Sequence, residues 1–128
     1  MLIISRLHWS IPWAILIAGF IAIFRFVRGY LDDKPFTKAD QRLVTIVIRL
    51  MELQAAAGLI FYVWNGFAGY GFRAYLFFHG LVMFIAVLIP HIADRWPREE
   101  ISNLHLHYFS AFLASFLLML FGVSLIPM

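Results

Sequence analysis

Five histidines and one deep acid–base pair are the residues of this chain that could do chemistry. Arg49 and Glu52 lie inside an apolar run from Leu43 to Tyr62, and His8, His79, His91, His105 and His107 lie in or at the edges of the other apolar runs. An ionisable side chain at bilayer depth costs ~2.5–3.5 kcal/mol on insertion scales, so its presence points to a functional site. Imidazole is a common axial ligand of haem iron, and facing helices of a bundle are the usual source of such ligands. His8 and His79 are expected at similar depth near one end of their helices, which makes them the preferred axial pair for a haem b. Gly80 beside His79, and Ala55-Ala56-Ala57-Gly58 on the second helix, would open room for a flat macrocycle, although small residues also serve plain helix packing.

A second group lies toward the other end: His91 after Pro90, then His105 and His107. Residues two apart on a helix point about 200° apart, so only one of His105 and His107 is expected to face inward. His91 with His107 is the second candidate pair. His79 and His91 lie about 120° apart around their helix and are not expected to share a site. Each histidine also has a plainer reading. His8 fits an interfacial polar residue, His79 a core histidine bonded to a neighbour, and the other three a wet headgroup region.

Arg49 and Glu52 are spaced i, i+3 and can pair on one helix face. Three readings stay open: a structural ion pair in the bundle interior, an Arg49 that holds a haem propionate or quinone oxygen, or a Glu52 that passes protons or binds a polar ligand. Gln54 adds a further polar group on the same helix.

The elements that must position these residues follow from composition. The 128 residues are 63% hydrophobic and 13% charged, with mean hydropathy +0.87, against roughly 25% charge in a soluble domain. The chain has no cysteine, which excludes disulfides, thiolate zinc sites, iron–sulfur ligation and covalent c-type haem. Stretches of 18 (Arg6 to Arg25), 20 (Glu52 to Arg73) and 20 (Arg73 to Asp94) residues carry no formal charge, nor do the last 28. A bilayer core needs ~20 helical residues. Four transmembrane helices are therefore expected, over about 7–28, 41–65, 73–93 and 101–126. Backbone polar groups in lipid must be satisfied within the segment, which leaves only helices. Short connections imply an all-α, integral membrane four-helix bundle running up-down-up-down, as one domain over residues 1–128. Thr37 or Asp40 suits the start of the second helix, and Ser102 or Glu99-Glu100 the start of the fourth.

The first and third loops hold Arg25, Arg28, Lys34, Lys38, Arg42, Arg95 and Arg98, whereas the N-terminus and second loop hold only Arg6 and Arg73. The positive-inside rule puts those two loops in the cytoplasm and both termini outside. Trp9, Trp13, Tyr62, Trp64, Tyr70 and Tyr75 then form an outer aromatic belt, and Tyr30 and Trp96 an inner one. The N-terminus has no small-x-small cleavage site, so the first helix is expected to be retained. Phosphate-binding loops, dinucleotide fingerprints, zinc helices and nucleophile signatures are absent from the sequence. The basic loops lack the aromatic interleaving of a nucleic-acid surface, so no nucleic-acid partner is expected.

Leu7-His8-Trp9, the run Pro35-Phe36-Thr37 with Asp40-Gln41-Arg42-Leu43, and Glu52-Leu53-Gln54 with Gly58-Leu59-Ile60-Phe61-Tyr62 carry a resemblance, joined by His79 and His91. Over residues 7–95 the chain resembles a group of small four-helix bacterial membrane proteins labelled cytochrome b-like. The resemblance implies a b-type haem or a membrane electron-transfer role in the bacterial cytoplasmic membrane. This chain departs from the group at Glu52, where the group has histidine before Leu-Gln. If that histidine is an axial ligand, the ligand is lost here. The leading expectation is a haem b electron carrier within a respiratory or photosynthetic assembly, with a quinone as a further partner. The alternative is a cofactor-free accessory subunit packed against other membrane subunits, and a third reading is a proton-coupled carrier using Glu52.

Overall fold

A computed structural model describes residues 1–127 and shows four long helices: α1 (Leu2–Leu31), α2 (Lys38–Asn65), α3 (Ala74–Arg95) and α4 (Leu104–Ser124). Each is long and apolar enough to cross a bilayer. Only 17% of the most apolar stretch of α3, and 33% of that of α4, is buried within the chain. Most of the apolar surface therefore faces outward, and its natural solvent is lipid. The chain is a multi-pass, all-α membrane bundle.

The helix ends follow local chemistry. Thr37 caps α2 in a full capping box: its hydroxyl accepts the Asp40 N–H, and the Asp40 carboxylate accepts the Thr37 N–H at 2.8 Å. Asn103 caps α4 by accepting the Leu106 N–H at 3.0 Å. That role was expected of Ser102 or the Glu99-Glu100 pair, but the two glutamates lie in a short 3-10 turn, Arg98–Glu100. α2 runs out through a wide turn over Gly66–Tyr70, where Gly69 and Gly71 take φ of 99° and 80°, values that favour glycine.

Consecutive helices are antiparallel. α1 packs on α2 and α4, and α3 on α4 and α2, so α1 and α3 stand on a diagonal. One end of the bundle carries both termini and the Gly66–Tyr70 turn, here the terminal end. The other, the basic end, carries the two cation-rich loops.

The core gathers toward the basic end. Ile15, Ala22 and Phe26 of α1 meet Val44, Val47, Ile48 and Met51 of α2 and Tyr108, Phe112 and Phe116 of α4. The spacings of three, four and seven are those of one helix face. α3 buries only Ala86, Pro90 and Ala93. No residue of 1–14, 58–85 or 117–121 is buried, while Gly122 near the end of α4 is buried against Val82 and Met83 of α3. Phe116 seats its ring on Gly19 and His105 on Gly29; a Cβ on either glycine would fall within 2.4 Å of the ring. Small residues at helix crossings let rings and backbones approach this way in membranes.

Polar groups lock the basic end. Arg25 pairs with the buried Asp40, joining α1 to α2. Asp94 accepts from Gln41 at 3.1 Å and from the Tyr108 hydroxyl at 2.7 Å, and Arg98 donates to Gln41. This network ties α2, α3 and α4 together.

Candidate functional site

Toward the terminal end, His8 leans on α2. Its ring stacks against Phe61 with centroids 6.0 Å apart and lies over Gly58, where a Cβ would come within 2.9 Å of Cε1. Gln54 donates to the His8 carbonyl at 3.0 Å. His8 Nδ1 is buried without a hydrogen-bond partner. His79 leans on α4, and its Nδ1 lies 2.8 Å from the Gly122 carbonyl. That carbonyl belongs to the last turn of α4, where it also accepts the Leu125 N–H at 3.3 Å. With Nδ1 donating, His79 Nε2 is left as the acceptor nitrogen. Both imidazoles are half-buried, His8 on α1 and His79 on α3.

Gly80 plays no part in this arrangement. It is exposed, and a Cβ there would meet nothing within 4 Å. Gly58 and Ala57 do lie at the bundle interior, Gly58 as the seat of His8 and Ala57 only 6% exposed.

The second histidine group separates. His91 Nε2 lies 2.8 Å from Glu52 Oε1, bridging α3 to α2. His107 Nε2 lies 2.7 Å from the Ala93 carbonyl, bridging α4 to α3. The two rings proposed as a pair are each committed to a different partner. His105 is 4% exposed, wedged against Gly29, Phe26 and Phe36, and both of its ring nitrogens are unpartnered. His105 and His107 thus both contact neighbouring helices, since a helix between two partners has more than one inward face.

Arg49 Nη1 donates to Glu52 Oε2 at 2.7 Å, so the expected pair forms. It does not sit in the interior: the Arg49 side chain is 69% exposed and that of Glu52 32%. The pair lies on the outer surface along α2 and α3. Cβ bonds tilt toward each helix N-terminus. On antiparallel helices, Glu52 and His91 therefore lean toward each other. Arg49 is nine residues from Gly58, about 13 Å along α2, and is turned outward. It is not part of the His8–His79 site.

Three participants escaped the sequence analysis: Gln54 as a ligand of the His8 backbone, Glu52 as the partner of His91, and the Asp94–Tyr108–Gln41 network. For Gln54 a signal existed. Pro12 lies four residues after His8 and cannot supply the N–H that the His8 carbonyl would accept in a helix.

Among the described residues no three His, Asp or Glu side chains gather as a metal-ion cluster; a haem iron would need only the two imidazoles. Comparison with protein-family models, with curated proteins and with solved structures finds no match to this chain.

Proposed function

We propose that this protein is a small membrane haem b protein that passes electrons within a respiratory or photosynthetic assembly, with His8 and His79 as axial ligands. The observation that carries the reading is the state of the two imidazoles. Each Nε2 is uncommitted, while His79 Nδ1 is tied to a backbone carbonyl. His79 is thus oriented as ligating histidines are, through the nitrogen that does not bind iron, while the His8 ring is held by Phe61 and Gly58 with its Nδ1 unpartnered. The apolar ring of Phe61 and the small Gly58 beside His8 suit a flat apolar group.

Bound there, the iron would supply one-electron chemistry. The chain's own residues would do the rest. Gly122 orients His79, Gly58 and Phe61 hold the His8 ring, and the surrounding apolar helices exclude water. Arg6 and Arg73 are the cations nearest that end of the chain for compensating propionates. The orientation with both termini outside the bacterial cytoplasmic membrane is part of the same proposal, as is a quinone partner.

A second reading, a cofactor-free accessory subunit, is favoured by α1. Trp9, Trp13, Ile17, Phe20 and Phe24 are each at least 64% exposed and run down one helix face, a broad rigid surface for a neighbouring subunit. A dithionite-reduced-minus-oxidised spectrum of protein made in a haem-replete host separates the two. A b-type α band is expected; a colourless protein overturns the haem reading and leaves the accessory one.

A further inference from the structure

We propose that Arg42 and Arg49 form a binding site for the phosphate head of an anionic membrane lipid, on the exposed face of α2 in the leaflet at the basic end. A guanidinium has five N–H donors. Arg49 commits only Nη1 within the chain, to Glu52, with its side chain 69% exposed. Glu52 has no oxygen left over, because Oε1 is taken by His91. Arg42 is exposed and makes no ion pair or hydrogen bond among the described residues.

The two arginines are seven residues apart, which puts them on nearly one line, Arg42 about 10 Å nearer the basic end. Lys38, exposed one turn further on, extends the line to the helix start. Of these three cations only Arg49 has a carboxylate partner, Glu52. Beside them Ile46 and Leu53 are 51% and 57% exposed, apolar surface of the kind an acyl chain covers. Arg95, also exposed, adds charge nearby, since the Gln41–Asp94 hydrogen bond sets the last turn of α3 against the first of α2.

Guanidinium donors facing hydrocarbon are costly and are drawn toward phosphate at the interface. Guanidinium and phosphate match in a bidentate geometry. A lipid phosphate is the anion that reaches this face laterally, whereas a soluble ligand would have to enter the hydrocarbon. The line of cations continues to the interface where head groups sit, so a lipid fits it better than a single carboxylate on a partner helix.

The test is lipid retention by the full protein in nanodiscs of phosphatidylcholine doped with phosphatidylglycerol, read by native mass spectrometry. The wild type is expected to retain phosphatidylglycerol above its bulk share. Each basic side chain near the surface is worth roughly fivefold, so the Arg42→Gln/Arg49→Gln double variant should lose roughly 25-fold of that enrichment. Arg42→Gln alone breaks no contact within the chain and should lose roughly fivefold, which keeps the test decisive if the double variant does not fold. Excess inorganic phosphate should leave the retained lipid in place. Equal enrichment in wild type and Arg42→Gln overturns the proposal. So does displacement by inorganic phosphate, or a protein rather than a lipid cross-linked through position 49 in native membranes.

Discussion

Ser115 Oγ donates a 2.6 Å hydrogen bond to the carbonyl of Ala86, the acceptor that Pro90 leaves without its helical N–H. The same relation recurs once more: Gln54 serves the His8 carbonyl four residues before Pro12. A proline in a membrane helix is tolerated where a neighbouring side chain re-satisfies the freed group. In this bundle those repairs also cross-link α4 to α3 and α2 to α1.

Ser115→Ala should therefore cost roughly 1–2 kcal/mol, above the ~0.6 kcal/mol average for interhelical hydrogen bonds in membranes, because the buried carbonyl is left with no partner. In a Pro90→Ala background, where residue 90 regains its N–H, the same change should cost less. Unfolding of the four proteins in mixed micelles gives the cycle; strictly additive costs would break the link between Ser115 and Pro90.

Glycines give a pair of predictions of opposite sign. Gly29→Ala drives a Cβ to 2.4 Å from the buried His105 ring, so overpacking of ~1–3 kcal/mol should outweigh the gain in helix propensity. Gly80→Ala meets open space and should stabilise by up to ~1 kcal/mol. Adding His105→Ala to Gly29→Ala should recover part of the loss. Thermal melts in one detergent decide it, and a stabilising Gly29→Ala would contradict the packing.

Glu52 holds two partners, Arg49 at 2.7 Å and His91 at 2.8 Å, and joins α2 to α3. Arg49 is bonded only within its own helix. Glu52→Ala should lower the unfolding midpoint more than Arg49→Ala, and the Glu52→Leu/His91→Leu pair should restore much of the loss. Equal effects from the two single changes would mean that the bridge between the helices contributes nothing.

Haem content should follow position along the bundle. His8→Ala and His79→Ala should abolish or strongly alter a b-type spectrum. His107→Ala should keep the band while reducing stability, since His107 serves the Ala93 carbonyl. His105→Ala should keep the band yet destabilise the fold, because that ring is buried against Phe26 and Phe36. An unchanged spectrum in His79→Ala would remove this site.

The amino-acid sequence by itself determined that there are four spans, their short connections, the start of α2 near Thr37 and Asp40, and the i, i+3 pairing of Arg49 with Glu52. Each of these depends on residues near one another in the chain, or on the need of any apolar segment in lipid to satisfy its backbone internally. Tertiary structure alone decided that His91 meets Glu52 rather than His107, that Arg49 faces outward, that His105 and His107 both find neighbouring helices, and that Asp94, Tyr108 and Gln41 converge. The reason is physical. In water, a polar face marks the outside of a helix; in lipid, the outside is as apolar as the core, so hydropathy along α1 to α4 carries little record of which face turns inward. Helix rotation and register are left to the fit of rings onto glycines such as Gly19 and Gly29, and to carbonyls freed by proline, which exist only once the helices are side by side.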